Sequence, residues 1–137
     1  MNARDDETST GSGTALRSMQ IGTPGPMRQR LNALILAGEK RATAGLASDY
    51  EKEGEPLEHV GERLTLVDDV GEGVGIVVVT RVQTCRFIDV PWEFARTEAE
   101  GDESIEEWRE GHRNYWTSEG EHIEDSTMVV LIWFELE

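Results

Sequence analysis

An amine and a hydroxyl stand three residues apart in Gly38-Glu39-Lys40-Arg41-Ala42-Thr43, just where an amphipathic stretch ends. A threonine hydroxyl becomes a useful nucleophile when a base takes its proton, and a lysine amine can be that base if burial lowers its pKa. The pair therefore suits attack on an amide or ester carbonyl. The same residues also fit a plainer reading, with Lys40 solvated after a helix-ending glycine and Thr43 within a strand. Geometry separates the two. Residues three apart in a regular strand point to opposite faces, so Lys40 must lie in a turn if both groups are to meet one substrate.

The elements that must position these groups are legible from period and punctuation. Met27, Leu31, Leu34 and Ile35 recur at helical spacing after Pro26, and Gly38 is a natural left-handed stop, which predicts a helix over 26–37. Residues 41–48 read as a short strand or extended segment, and the Glu-rich stretch 51–61, with its Gly and Pro, as a loop. Arg63-Leu64-Thr65-Leu66-Val67 alternates apolar and polar, Val74 to Val82 is rich in β-branched residues, and Gly71-Glu72-Gly73 between them predicts a hairpin. Asp89 is placed to cap a helix from Val90 to Ala99, and Ser104 with Glu107 forms a capping box for another from Ile105 to Trp116. On that helix Ile105, Trp108, His112 and Tyr115 share one face. His112 thus faces the core or a cleft, most simply as a packed, hydrogen-bonded histidine. Trp92, Trp108 and Trp133 read as core aromatics, and Trp116, at the helix end, is placed to line a pocket mouth. The continuous apolar run from Met128 to Leu136 suits a strand buried on both faces of a closed or nearly closed sheet.

Composition bounds the partners. The 137 residues make one domain's worth of chain. Residues 1–22 carry almost no apolar side chains and read as a flexible tail, leaving 23–137 as the folded domain. No apolar run approaches the length that spans a bilayer, and Met1 to Glu7 lacks the order of a signal peptide, which predicts cytoplasmic residence away from membranes. The single Cys85 reads as a small buried hydrophobe. With 28 acidic and 13 basic side chains the formal charge is -15, so a long nucleic acid is repelled over most of the surface. A local basic patch would need Arg28, Arg30, Lys40, Arg41, Arg109 and Arg113 to converge. No required metal or other cofactor is predicted: His59, His112 and His122 lie at no ligand spacing, and Gly71-Glu72-Gly73-Val74-Gly75 joins strands instead of opening a helix.

Three blocks between Leu31 and Trp116, roughly two thirds of the chain, resemble the ASCH domain family. Leu36-Ala37-Gly38-Glu39-Lys40-Arg41-Ala42-Thr43-Ala44 is similar to its glycine, lysine, threonine signature. Tyr50-Glu51-Lys52-Glu53-Gly54-Glu55-Pro56-Leu57, followed by Val60-Gly61-Glu62, is similar to its acidic turn. Glu100-Gly101-Asp102 with Ser104, Trp108, His112, Arg113 and Tyr115 resembles its second helical block. One position departs: many members carry arginine two residues after the threonine, where this chain has Gly45.

The resemblance implies an α+β, PUA-like small mixed β-barrel of about five to six strands with two to three flanking helices. It also implies a cleft for a nucleoside or short RNA ligand. Members proposed to hydrolyse acetylated cytidine use a lysine, a threonine and a glutamate, matched here by Lys40, Thr43 and Glu100. In that scheme Lys40 takes the Thr43 proton, Thr43 attacks the amide carbonyl, and Glu100 orients Lys40 or relays a proton to the leaving amine. A carboxylate beside Lys40 opposes its use as a base, so burial must outweigh the ion pair, or Glu100 must be protonated. Tyr50, Asp102 and Arg113 are the expected substrate contacts, Tyr50 by stacking and the other two by hydrogen bonding. The PUA-like relationship equally implies RNA binding or ribonuclease action in the same cleft, and a nucleotide-like sensor without turnover is the third option. A positive groove reaching Lys40 would favour RNA, and a small closed pocket the nucleoside.

Overall fold

The computed structural model describes residues 15–137. Along the chain run β1 (Arg17–Met19), α1 (Pro26–Leu36), β2 (Ala42–Leu46), α2 (Ala47–Glu53), β3 (Arg63–Val67), β4 (Gly73–Arg86), a turn of 3-10 helix (Phe87–Asp89), α3 (Trp92–Glu98), α4 (Ile105–Ser118) and β5 (Met128–Leu136). The strands form one mixed sheet in the order β1-β3-β4-β5-β2. Among the described residues the one parallel pair is β1 with β3. Pairing shifts register between Leu66 and Val67 and between Val79 and Arg81, and such bulges bend strands. The sheet curls into a five-stranded half-barrel, an α+β, PUA-like architecture with four helices. It is open between the edge strands β1 and β2.

β5 shows why a continuous apolar run was needed. Val129, Leu131 and Trp133 enter one core with Phe87, Phe94, Trp108 and Trp116, whereas Val130, Ile132 and Phe134 enter the other with Leu31, Ile35, Leu66 and Val77. Alternate side chains of one strand thus serve two cores. α3 and α4 cover the first face, α1 the second. Cys85 lies in β4 and packs, partly buried, against the first core.

Several expectations need correction. The folded part begins earlier than residue 23: Arg17–Met19 pairs with β3, and Met19 and Ile21 are buried, while residues 1–14 lie outside the described residues. A three-residue strand depends on its partner's register more than on its own propensity, so sequence pattern does not flag it. The stretch assigned to a loop contains the end of α2, which stops at Gly54 in the left-handed region (φ 65°). α2 brings the helices to four, against two to three expected. Asp89 does not cap α3. Its carboxylate accepts from Arg86 at 2.7 and 3.1 Å, and Val90, preceding Pro91, is held extended, so the helix starts at Trp92. The Ser104 cap forms as expected, accepting from the Glu107 N–H, while the Glu107 carboxylate accepts from the Glu103 N–H. Among the described residues no helix is long and apolar enough to cross a membrane.

Candidate active site

Gly38 (φ 79°) ends α1, and the N–H groups of Glu39 and Lys40 bond to Leu34 O, turning the chain toward β2. Lys40 therefore sits in the turn, as the geometry required. Its side chain runs inward to 0% exposure, and Nζ donates to Ala42 O at 2.8 Å and to Glu100 Oε2 at 2.5 Å. Glu98 Oε2 is 3.7 Å away.

Glu98 is the residue that sequence reasoning missed. It lies on the buried face of α3 with Phe94 and Ala95, four and three residues earlier, a spacing that marks a carboxylate aimed at the core. Trp108 Nε1 donates to its Oε1 at 2.6 Å, and His112 Nε2 is 3.3 Å from the same atom. Ala99 makes the convergence possible. It is the one non-glycine among the described residues with positive φ (56°), and this left-handed step at the end of α3 lets Glu98 and Glu100 both reach Lys40.

Opposing forces set the charge states. Burial acts to raise the Glu98 carboxyl, but Lys40, His112 and the Trp108 N–H outweigh it and hold it below the usual range. Burial acts to lower His112, yet the bond and charge of Glu98, then Glu100 and the Trp108 carbonyl, raise it. Nδ1 stands 3.0 Å from Trp108 O while Nε2 faces Glu98, so the imidazolium satisfies both acceptors. The ring stacks on Trp108 at 4.0 Å.

A cavity of about 180 Å³ opens beside this cluster, lined by Thr43, Glu98, Glu100, Asp102, His112, Tyr115 and Trp116 among others. Burial, foremost, raises the Asp102 carboxyl. Lys40 is not among the lining residues; it underpins Glu100 from within. A second cavity of about 240 Å³ occupies the seam between β1 and β2 and is flanked by α2. Ile21, Thr43 and Ala44 line both cavities, so the two form one cleft with Thr43 at the junction. Tyr50 belongs to the second cavity, where its hydroxyl donates to Glu58 at 2.8 Å.

Thr43, Glu100, Asp102 and, from beneath, Lys40 are thus brought together, with Tyr50 at the far end of the cleft. Arg113 is not. One position on from His112, it turns away to donate to Ile123 O at 2.8 Å and to lie over the Phe87 ring, holding the 121–125 segment on α4. Of the six cations that a local basic patch would need, Lys40 and Arg113 are engaged as described, and three more are held by backbone carbonyls. Arg28 is buried and donates to Ile21 O and Gly22 O, Arg30 to Glu100 O, and Arg109 to Ile88 O. Glu98, Glu100 and His112 bring possible metal-ligand atoms within 4.8 Å of one another, a cluster that spacing along the chain did not reveal. The Lys40 ammonium already supplies positive charge to both carboxylates of that cluster.

The ASCH domain family profile matches residues 17–137. This chain belongs to the ASCH domain family. The ASCH domain from Lactobacillus crispatus JV V101 is 30% identical at a TM-score of 0.76, over 87% of this chain and 77% of that one. A protein from Enterococcus faecalis V583 is 24% identical at a TM-score of 0.77, over 86% of this chain and 74% of that one. ASCH from Zymomonas mobilis shares the fold at a TM-score of 0.54 and 12% identity, over 79% of this chain and 64% of that one. No curated protein matches the ASCH chain at a significant level.

Proposed function

We propose that this ASCH protein is a small hydrolase that cuts the amide of an acylated nucleoside, of the N4-acetylcytidine type. The observation that supports this reading is the cavity of about 180 Å³ in which Thr43, Glu100, Asp102 and His112 share one lining with Tyr115 and Trp116. A flat, uncharged heterocycle suits such walls, and the carboxylates offer acceptors to its amino groups.

This reading exchanges two of the roles expected from sequence. Lys40 Nζ donates to a carbonyl and to Glu100, and a group committed as a donor is poorly suited to act as base. Glu100 faces the cavity with its side chain 18% exposed and serves as the proton acceptor for Thr43, positioned by Lys40. Thr43 Oγ1 then attacks the acyl carbon, the Glu100 proton passes to the departing amine, and water hydrolyses the threonine ester. His112, held as an imidazolium by Glu98 and the Trp108 carbonyl, supplies positive charge beside the developing oxyanion.

The competing reading, RNA binding or cleavage in the same cleft, is disfavoured by charge. Asp49, Glu53 and Glu58 line one cavity and Glu98, Glu100 and Asp102 the other, and phosphates would meet these carboxylates. The test is release of cytidine from N4-acetylcytidine by the purified chain. Thr43→Ala and Glu100→Gln are expected to lower kcat by roughly 100-fold or more. Intact acetylcytidine together with cleaved labelled RNA, unaffected by a chelator, would replace this proposal with the ribonuclease. Binding of acetylcytidine by calorimetry without turnover would leave a sensor.

A further inference from the structure

Building on the amide-hydrolase reading, we propose that the seam cavity between β1, β2 and α2 is the acyl subsite, and that it selects acyl groups ending in an ammonium. Its position is the first argument. Thr43 lines both cavities, so a bond broken at its hydroxyl has the leaving amine on one side of the junction and the acyl chain on the other. With the heterocycle between Tyr115 and Trp116, the acyl chain points toward α2.

Size is the second argument. The seam cavity holds about 240 Å³, many times the volume of the single methyl group that an acetyl would place there. Gly45 lines this cavity without a side chain, and a Cβ there would sit in ordinary contact with the Tyr50 ring at 3.8 Å.

Charge is the third. The cation in the lining, Arg17, is already engaged, donating to Glu55 at 2.8 Å, to Glu62 at 2.8 and 2.9 Å, and to Pro56 O. Asp49, Glu53 and Glu58 line the same space and have no ion-pair partner among the described residues. Burial, then the neighbouring Glu121, raises the Asp49 carboxyl, the condition of an acid in need of a counter-charge. A ligand ammonium reaching α2 supplies it, as a charge-assisted donor to Asp49 and Glu58.

The reaction balances as an ordinary hydrolysis. The Thr43 Oγ1–acyl bond forms as the C–N bond breaks. The threonine proton passes through Glu100 to the leaving amine, and water then splits the ester, restoring Thr43 and freeing a carboxylic acid that carries the ammonium. The experiment compares three amides of cytidine: N4-acetyl, N4-(6-aminohexanoyl) and N4-heptanoyl, the last two matched in length and differing in a terminal ammonium or methyl. The expected result is a kcat/KM about tenfold higher for aminohexanoyl than for heptanoyl, falling toward one in an Asp49→Asn, Glu58→Gln double variant. That ratio is internal to each protein, so partial loss of folded material does not move it. Turnover with a ratio within about twofold of one overturns the subsite and leaves the hydrolase standing. Absence of turnover on all three amides overturns both.

Discussion

The two halves of the cleft hold the same kind of charge under opposite conditions. Beside α4, Glu98 is 1% exposed and is met by Lys40, His112 and Trp108, so its charge is enclosed and matched. Beside α2, Asp49, Glu53 and Glu58 have no ion-pair partner among the described residues and border a larger cavity. The first arrangement repays its desolvation only while every member is present, because a buried charge stripped of its partner is costly. The second leaves attraction unused by the fold. Charge is therefore enclosed and matched by the fold at one end, while at the other it borders a cavity without an ion-pair partner among the described residues.

The largest expected effect tests that contrast directly. Glu98→Ala leaves the Lys40 ammonium, His112 and the Trp108 N–H around an apolar side chain, and is expected to cost roughly 3–5 kcal/mol in chemical denaturation. Glu53→Gln, in the other half, is expected to change stability by less than about 0.5 kcal/mol. Equal losses from the two substitutions would erase the distinction.

Stability against pH sharpens it. The Glu98 carboxyl lies below its ordinary 4.5 in the folded state, so its contribution is present above about pH 4.5 and is lost as pH falls through the lower folded value. His112 lies above its ordinary 6.5, so its contribution is complete below about pH 6.5 and is lost as pH rises through the higher folded value. The pair is thus strongest between these limits. Lys40, Glu100 and Asp102 face the same cluster, and the raised Asp102 runs opposite to Glu98 and with His112, losing stability as it ionises. Comparison with His112→Gln isolates the histidine. Midpoint denaturant concentrations from pH 5 to 9 should fall more steeply in the parent than in the variant, and parallel curves would remove His112 from the hub.

Two smaller effects probe the edges of each half. Tyr50→Phe deletes the 2.8 Å bond to Glu58 and is expected to cost about 1 kcal/mol, read by thermal unfolding. Ala99→Gly relieves a left-handed residue at φ 56° and is expected to stabilise by about 0.5 kcal/mol, the glycine's extra unfolded-state freedom offsetting part of the gain. A large loss at Ala99 would mean that its methyl packs as well as turns.

Legibility followed distance along the chain. The helix with Pro26 at its start and Gly38 after its end, the hairpin strands and the Ser104 cap were all readable because their signals lie within a few residues. The pairing of Lys40 with Glu100 was suggested by family resemblance, across 60 positions that no local rule connects. Glu98 carries no motif of its own and ends a short helix, so only its i−3 and i−4 neighbours Ala95 and Phe94 mark it as facing the core. Arg113 was misplaced because one step along a helix turns a side chain by about 100°.

By itself the sequence determined where the elements lie and which faces are apolar, because helical and strand periods, caps and glycine stops act over one or two turns of chain. Only the tertiary structure decided which charges are enclosed together, that the half-barrel stays open between β1 and β2, and that Thr43 stands where two cavities meet. Those outcomes depend on packing between segments far apart in sequence, where desolvation and ion pairing are set by neighbours that no local pattern names.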